Sequence, residues 1–168
     1  MCKTPRRFFV VVVLTSFGFA AAFGSKAQQN ATPPNHSVIP PRDLHWGPST
    51  LPGAQIAVLS GNPDKAGQPF VIRIKTKDGT KIPPHWHPTD EHITVLEGLF
   101  AIGVGEKFEN SRLKDLAPGT YAFMPKQVPH FAYSKGETIA QVHGIGPFQT
   151  IWVNPADVPD RKADAPKK

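Results

Sequence analysis

Five of the seven histidines fall between residues 85 and 143, and three of them are spaced so that they could share a task. His85 and His87 are two apart. On a strand, where side chains alternate, both imidazoles leave the same face, with Cα atoms roughly 7 Å apart. Glu91, four residues further on, keeps that parity and can present its carboxylate to the same side. His130 arrives from a separate strand, after Pro125 and Pro129. Three imidazoles and one carboxylate converging on a point make a site for one divalent transition metal. The set suits Mn, Fe, Co, Ni, Cu or Zn, and spacing does not choose among them. Pro83, Pro84 and Pro88 bracket the histidine pair and restrict the backbone, which reduces the entropy lost in positioning the ligands.

Other residues compete for roles. Glu97 is an alternative acid to Glu91. His92 has the opposite parity and should point out of the sheet unless a bulge intervenes. Gln141 and His143 share one face of a late strand, and either could line the cavity. His143 is the candidate for proton transfer beside Glu91. Phe123, Phe131, Tyr133, Phe148 and Trp152 read as core or pocket wall, and His36 and His45 as bystanders.

The elements that must position these groups are strands. Nineteen Pro and 14 Gly among 168 residues exclude a helical bundle. Strand candidates are Gln55–Leu59, Phe70–Lys77, Glu91–Glu97, Leu99–Val104, Tyr121–Met124, Phe131–Tyr133, Thr138–Val142 and Phe148–Val153, separated by turn residues such as Asp78-Gly79, Glu97-Gly98 and Lys135-Gly136. Phe70, Ile72 and Ile74 alternate with Val71, Arg73 and Lys75, the period of a half-buried strand. The one helical turn expected is Lys107–Leu116. Many short strands at this spacing predict an all-β antiparallel sandwich or barrel. Residues 28–53, rich in Pro, should form an extended N-terminal arm whose second half packs on the body through Ile39, Leu44 and Trp46, and residues 154–168 a polar tail.

Residues 1–27 read as a secretory leader: basic Lys3, Arg6 and Arg7 precede the apolar stretch Phe8–Phe23, and small residues precede a cut after Ala27, with Gly24 and Ala22 as alternatives. The apolar run is short of the ~20 residues that a spanning helix needs, so no stable membrane span is expected after leader removal. The expected location is periplasmic or secreted. Cys2, the only cysteine, lies in that leader, so the mature chain should hold a metal through nitrogen and oxygen alone. The leader also carries four of the six net positive charges, leaving +2, which is no footprint for nucleic acid.

The spacing of these residues resembles the cupin superfamily. Its first motif places a Gly, five residues, His-x-His, three or four residues, Glu, six residues and Gly, and here Gly79, His85, His87, Glu91 and Gly98 fill those positions. In the second motif Gly119, Pro125 and His130 fit, while Gln127 replaces a Gly and Ser134 an Asn, departures that concern a turn and a strand end. The segments Pro84–His92 and Val142–Phe148 also look like a group of small exported cupins. The resemblance covers roughly residues 54–153. It implies a double-stranded β-helix, or jelly-roll barrel, with His85, His87, Glu91 and His130 as four metal ligands in its mouth. Family members include dioxygenases and isomerases acting on small oxygen-bearing molecules, and the same pocket could serve a non-catalytic small-ligand or metal binder. Dimerisation through outer strands is common in cupins, so a homodimer is an expectation as well.

Overall fold

The computed structural model describes residues 36–157; the expected leader at 1–27 and most of the expected tail lie outside this range. Among the described residues there are nine strands: β1 (Gly47–Pro48), β2 (Ala54–Gly61), β3 (Pro69–Thr76), β4 (Lys81–Trp86), β5 (Glu91–Val104), β6 (Lys114–Leu116), β7 (Tyr121–Met124), β8 (His130–Ile145) and β9 (Ile151–Trp152). Every pairing is antiparallel. The strand order is β1-β2-β3-β8-β4-β9, and β5 pairs with β6, β7 and β8. No helix among the described residues is long and apolar enough to cross a membrane.

Two long strands organise the barrel. The sequence suggests separate strands on either side of Glu97-Gly98 and of Lys135-Gly136, but in each case the chain runs through the turn residues as one bent strand. The bends lie side by side, with Leu99 paired to Lys135 and Glu97 to Ile139. At the bend in β5, Gly98 adopts φ +75, and a Cβ there would collide with the Glu137 carbonyl. The register shift on either side of Glu97 moves the inward set from Ile93 and Val95 to Phe100 and Ile102. In β8 the even-numbered residues face inward on both sides of the bend: His130, Ala132, Ser134, Thr138, Ala140 and Val142 are all buried.

The inward rows of β3, β5 and β8 form the core, with Phe70, Ile72, Ile93, Val95, Phe100, Ile102 and Val142 among its members. Leu51 from the N-terminal segment joins them, and Lys75 sits 4.7 Å over the Trp46 ring. The helical turn expected at Lys107–Leu116 is corrected. A short 3-10 turn at Asn110–Arg112 is followed by strand β6, because Lys114–Leu116 can pair with Phe100–Ile102 and satisfy that edge of β5. The preceding loop covers Phe131, which points outward yet is fully buried against Phe108.

Candidate metal centre

Strand β4 departs from a regular ladder, since Pro83 and Pro84 lack the N–H groups that one needs. The register of β4 against β8 accordingly shifts between Ile82 and His85. Beyond the shift, His85 lies opposite His130, at the head of β8, and opposite Trp152 of β9. His87 follows just past the end of β4. Glu91 begins β5, between Met124 of β7 and Gly144 of β8. Three strand ends therefore meet at one end of the barrel.

The four residues expected at the site converge there, and all four are buried. One ligating atom from each of His85, His87 and His130 lies within 4.8 Å of the others. Glu91 Oε2 is 3.3 Å from His130 Nε2 and 3.7 Å from His87 Nε2. Each imidazole is held from behind through Nδ1: His85 by the Pro83 carbonyl (2.7 Å), His87 by the Gln149 carbonyl (2.8 Å) and His130 by the Val128 carbonyl (3.0 Å). A carbonyl only accepts, so each Nδ1 carries the proton and the neutral ring turns a bare Nε2 inward. Glu91 Oε2 is buried without a hydrogen-bond partner. Four acceptors facing one another with no donor among them require a positive charge, and a divalent cation fits that donor set.

The protonation equilibria follow from burial. Desolvation, helped by the neighbouring His130 and His87, lowers the His85 pKa to about 3. Desolvation also lowers that of His87, against the pull of Glu91. Burial alone would raise Glu91, but its contact with His130 and the charges of His87, His130 and His85 together bring it below its ordinary value. His130 is the counterpart: burial lowers it, yet the contact with Glu91 and its charge raise it overall. Glu91 thus favours the protonated form of His130, the opposite of what burial does at His85 and His87.

A cavity of about 1070 Å³ opens in front of this cluster. Its walls are largely aliphatic, with Phe148 stacked on the His87 ring at 4.2 Å and Trp152 5.4 Å from the His85 ring. Phe148 and Trp152 are thus pocket wall, as expected, whereas Phe123 is corrected: it is exposed on the outer face, 5.1 Å from His92.

His143 is corrected as well. By the sequence either His143 or Gln141 could line the cavity, but the inward face of β8 belongs to Ala140 and Val142. His143 is exposed outside, opposite His92 on β5, and the two rings stack at 4.9 Å and 11°. Gln141 accepts from Arg73 on that same outer side. His92 lies outward as its parity predicts, its Nδ1 2.7 Å from the Tyr121 hydroxyl. The backbone carbonyls of Pro83, Val128 and Gln149 were not foreseen, and no residue type announces them. Thr76 and Thr138 line the cavity as well, and the inward parity of Phe70, Ile72 and Ile74 extends to Thr76.

The family model described as the ChrR cupin-like domain matches residues 34–149. The chain belongs to this cupin family. Solved structures agree on the fold. The polyketide cyclase RemF from Streptomyces resistomycificus is 18% identical with a TM-score of 0.61, covering 74% of this chain and 90% of its own. An RmlC-like cupin from Shewanella frigidimarina is 19% identical with a TM-score of 0.53, covering 66% and 91%. KdgF from Halomonas sp. is 19% identical with a TM-score of 0.51, covering 66% and 95%. No curated protein matches the chain. At these identities the likeness concerns the jelly-roll barrel alone, so any activity must be argued from this cupin's own site.

Proposed function

We propose that this cupin is an exported metal-dependent enzyme, of dioxygenase or isomerase type, acting on a small oxygen-bearing molecule. The observation that carries the reading is the buried cluster of acceptors at the cavity mouth: three inward Nε2 atoms and the unpartnered Glu91 Oε2. A divalent transition metal held by His85, His87, Glu91 and His130 would supply Lewis acidity to an oxygen of the bound molecule.

The chain's own groups define the rest. The carbonyls of Pro83, Gln149 and Val128 fix the three imidazoles, so the ligand geometry is set before anything binds. His85, with its pKa near 3, carries no proton at neutral pH and serves only as a ligand. Glu91 is the one carboxylate in the cluster, and a carboxylate oxygen not engaged by the metal could accept a proton from a bound molecule. Phe148 and Trp152 shield the imidazoles from water. His143 has no part in this reading, since it lies on the other side of β8.

A specific observation also favours a non-catalytic small-ligand binder. Outside the cluster, Asp64 is the only ionisable residue among the described residues lining the cavity, so a second acid–base group is scarce. Turnover decides between the two. Metal-loaded full-length protein is assayed for oxygen uptake and product formation with phenolic and dicarbonyl compounds, alongside Glu91→Gln with its metal content measured. Turnover lost in the variant while metal is retained supports the enzyme. A small molecule co-purifying unchanged, with no turnover, supports the binder. Export through the segment 1–27 and pairing of two copies through outer strands belong to the same proposal; the first is tested by the N-terminal sequence of the mature protein, the second by its sedimentation.

A further inference from the structure

From the cavity itself we infer that the ligand is an elongated, mainly hydrocarbon molecule with an oxygen function at the metal end and a hydrogen-bonding group at the other. This rests on the metal reading above for which end carries the oxygen, and on independent features for the rest.

The first feature is composition. The inward rows of β3, β5 and β8 present Ile72, Ile74, Ile93, Ala140 and Val142 to the space, and among the described residues no Lys or Arg lines it. Phosphates and dicarboxylates need cationic or multiple hydrogen-bonding partners once removed from water. Beyond the cluster the one charged side chain among the described lining residues is Asp64, which repels such an anion.

The second feature is length. Glu91 lies opposite Gly144 on β8, and Thr138 opposite Thr76 on β3. Six residues of extended β8 separate Gly144 from Thr138, a rise of roughly 20 Å. Glu91 and Thr138 both line the one cavity, so its space runs from the metal site to the bend of the barrel.

The third feature is the far end. Thr76 Oγ1 lies 2.6 Å from Ser134 Oγ, and both residues are buried. One hydroxyl donates to the other, which leaves a second O–H in the pair; Thr76 lines the cavity and can offer it to an acceptor. Thr138 is directed elsewhere, donating to the Gly136 and Leu99 carbonyls at 3.3 and 3.5 Å. A hydroxyl pair at the end of the cavity far from the cluster is a place for one polar atom, not for a charged group.

The test uses butanoate, octanoate, dodecanoate and 12-hydroxydodecanoate as probes, with succinate and glucose 6-phosphate for comparison, titrated into zinc-loaded full-length protein. Affinity should rise roughly fourfold per added methylene. It should rise again for 12-hydroxydodecanoate over dodecanoate, and that last gain should vanish in Thr76→Val. Ala140→Phe, which blocks the cavity midway, should lose dodecanoate and keep butanoate, with zinc content unchanged. Affinity flat along the series, tighter binding of succinate or glucose 6-phosphate, or dodecanoate binding unaltered in Ala140→Phe would overturn the inference. Zinc measured in the same samples separates the two readings: one zinc per chain without a chain-length trend sinks the ligand class and leaves the metal site. Chain-length dependence in protein that takes up no zinc does the reverse.

Discussion

The backbone N–H of Gln127 donates to the carbonyl of His87 across 2.8 Å, from a residue with φ +63. This bond joins the β7–β8 turn to the segment carrying two of the metal-site histidines. It also explains how the chain keeps a left-handed turn where the resembling motif has glycine. A residue with a Cβ in that region costs about 1 kcal/mol, and more if β-branched. Gln127→Val should therefore be less stable than Gln127→Gly by more than about 1 kcal/mol in urea unfolding, and equal midpoints would argue against a left-handed residue at 127.

The metal-free protein should lose stability as pH falls below neutrality. His85 takes a proton at 6.5 when unfolded but only near 3 when folded, so between those values the unfolded chain binds more protons and stability declines with pH. His87 acts in the same direction. Glu91, lowered in the fold, contributes stability above 4.5 that is lost as pH drops through its folded value. His130 opposes them, since its raised pKa stabilises below 6.5 and that contribution disappears as pH rises through the folded value. The shift at His85 alone corresponds to a few kcal/mol. Urea midpoints of metal-stripped protein should be clearly lower at pH 5 than at pH 7; a higher midpoint at pH 5 would contradict the buried, neutral state of His85.

Removing the carboxylate should reverse the direction at His130. Its pKa is raised because Glu91, with a smaller contribution from the Val128 carbonyl, outweighs burial. In metal-free Glu91→Gln, burial remains without that partner, so the His130 ring should titrate below the ordinary histidine value in an NMR pH series. A His130 pKa unchanged by the substitution would mean that the two side chains are not paired.

Much of this site could be read from residue order because strand geometry converts spacing into direction. His85, His87 and Glu91 keep one parity, and His130 falls on the inward face of its own strand. His143 shows where that logic fails. His143 and Gln141, two residues apart, do share a face, but it is the outer one. The small apolar residues Ala140 and Val142 marked the inward side, and giving them weight would have placed His143 outside. The bends were harder to read, since parity changes across Glu97-Gly98 and survives across Lys135–Glu137, a difference set by cross-strand register. The carbonyls behind the imidazoles belong to backbone positions that any residue could supply.

The close approach of β5 and β8 gives a packing test away from the site. A Cβ on Gly103 would drive into the ring of the fully buried Phe131. Gly103→Ala should cost about 1–3 kcal/mol through overpacking. Adding Phe131→Leu should recover part of that loss; calorimetric melting of the single and double variants measures the coupling, and additive losses would mean that the two positions do not touch.

The most direct measurement is elemental analysis of full-length protein and three variants. The account predicts one divalent transition metal per chain, retained in His143→Ala, which is exposed outside the barrel, and lost or strongly reduced in His85→Ala and His130→Ala. A protein without metal, or one whose content falls as much in His143→Ala as in His130→Ala, would contradict it.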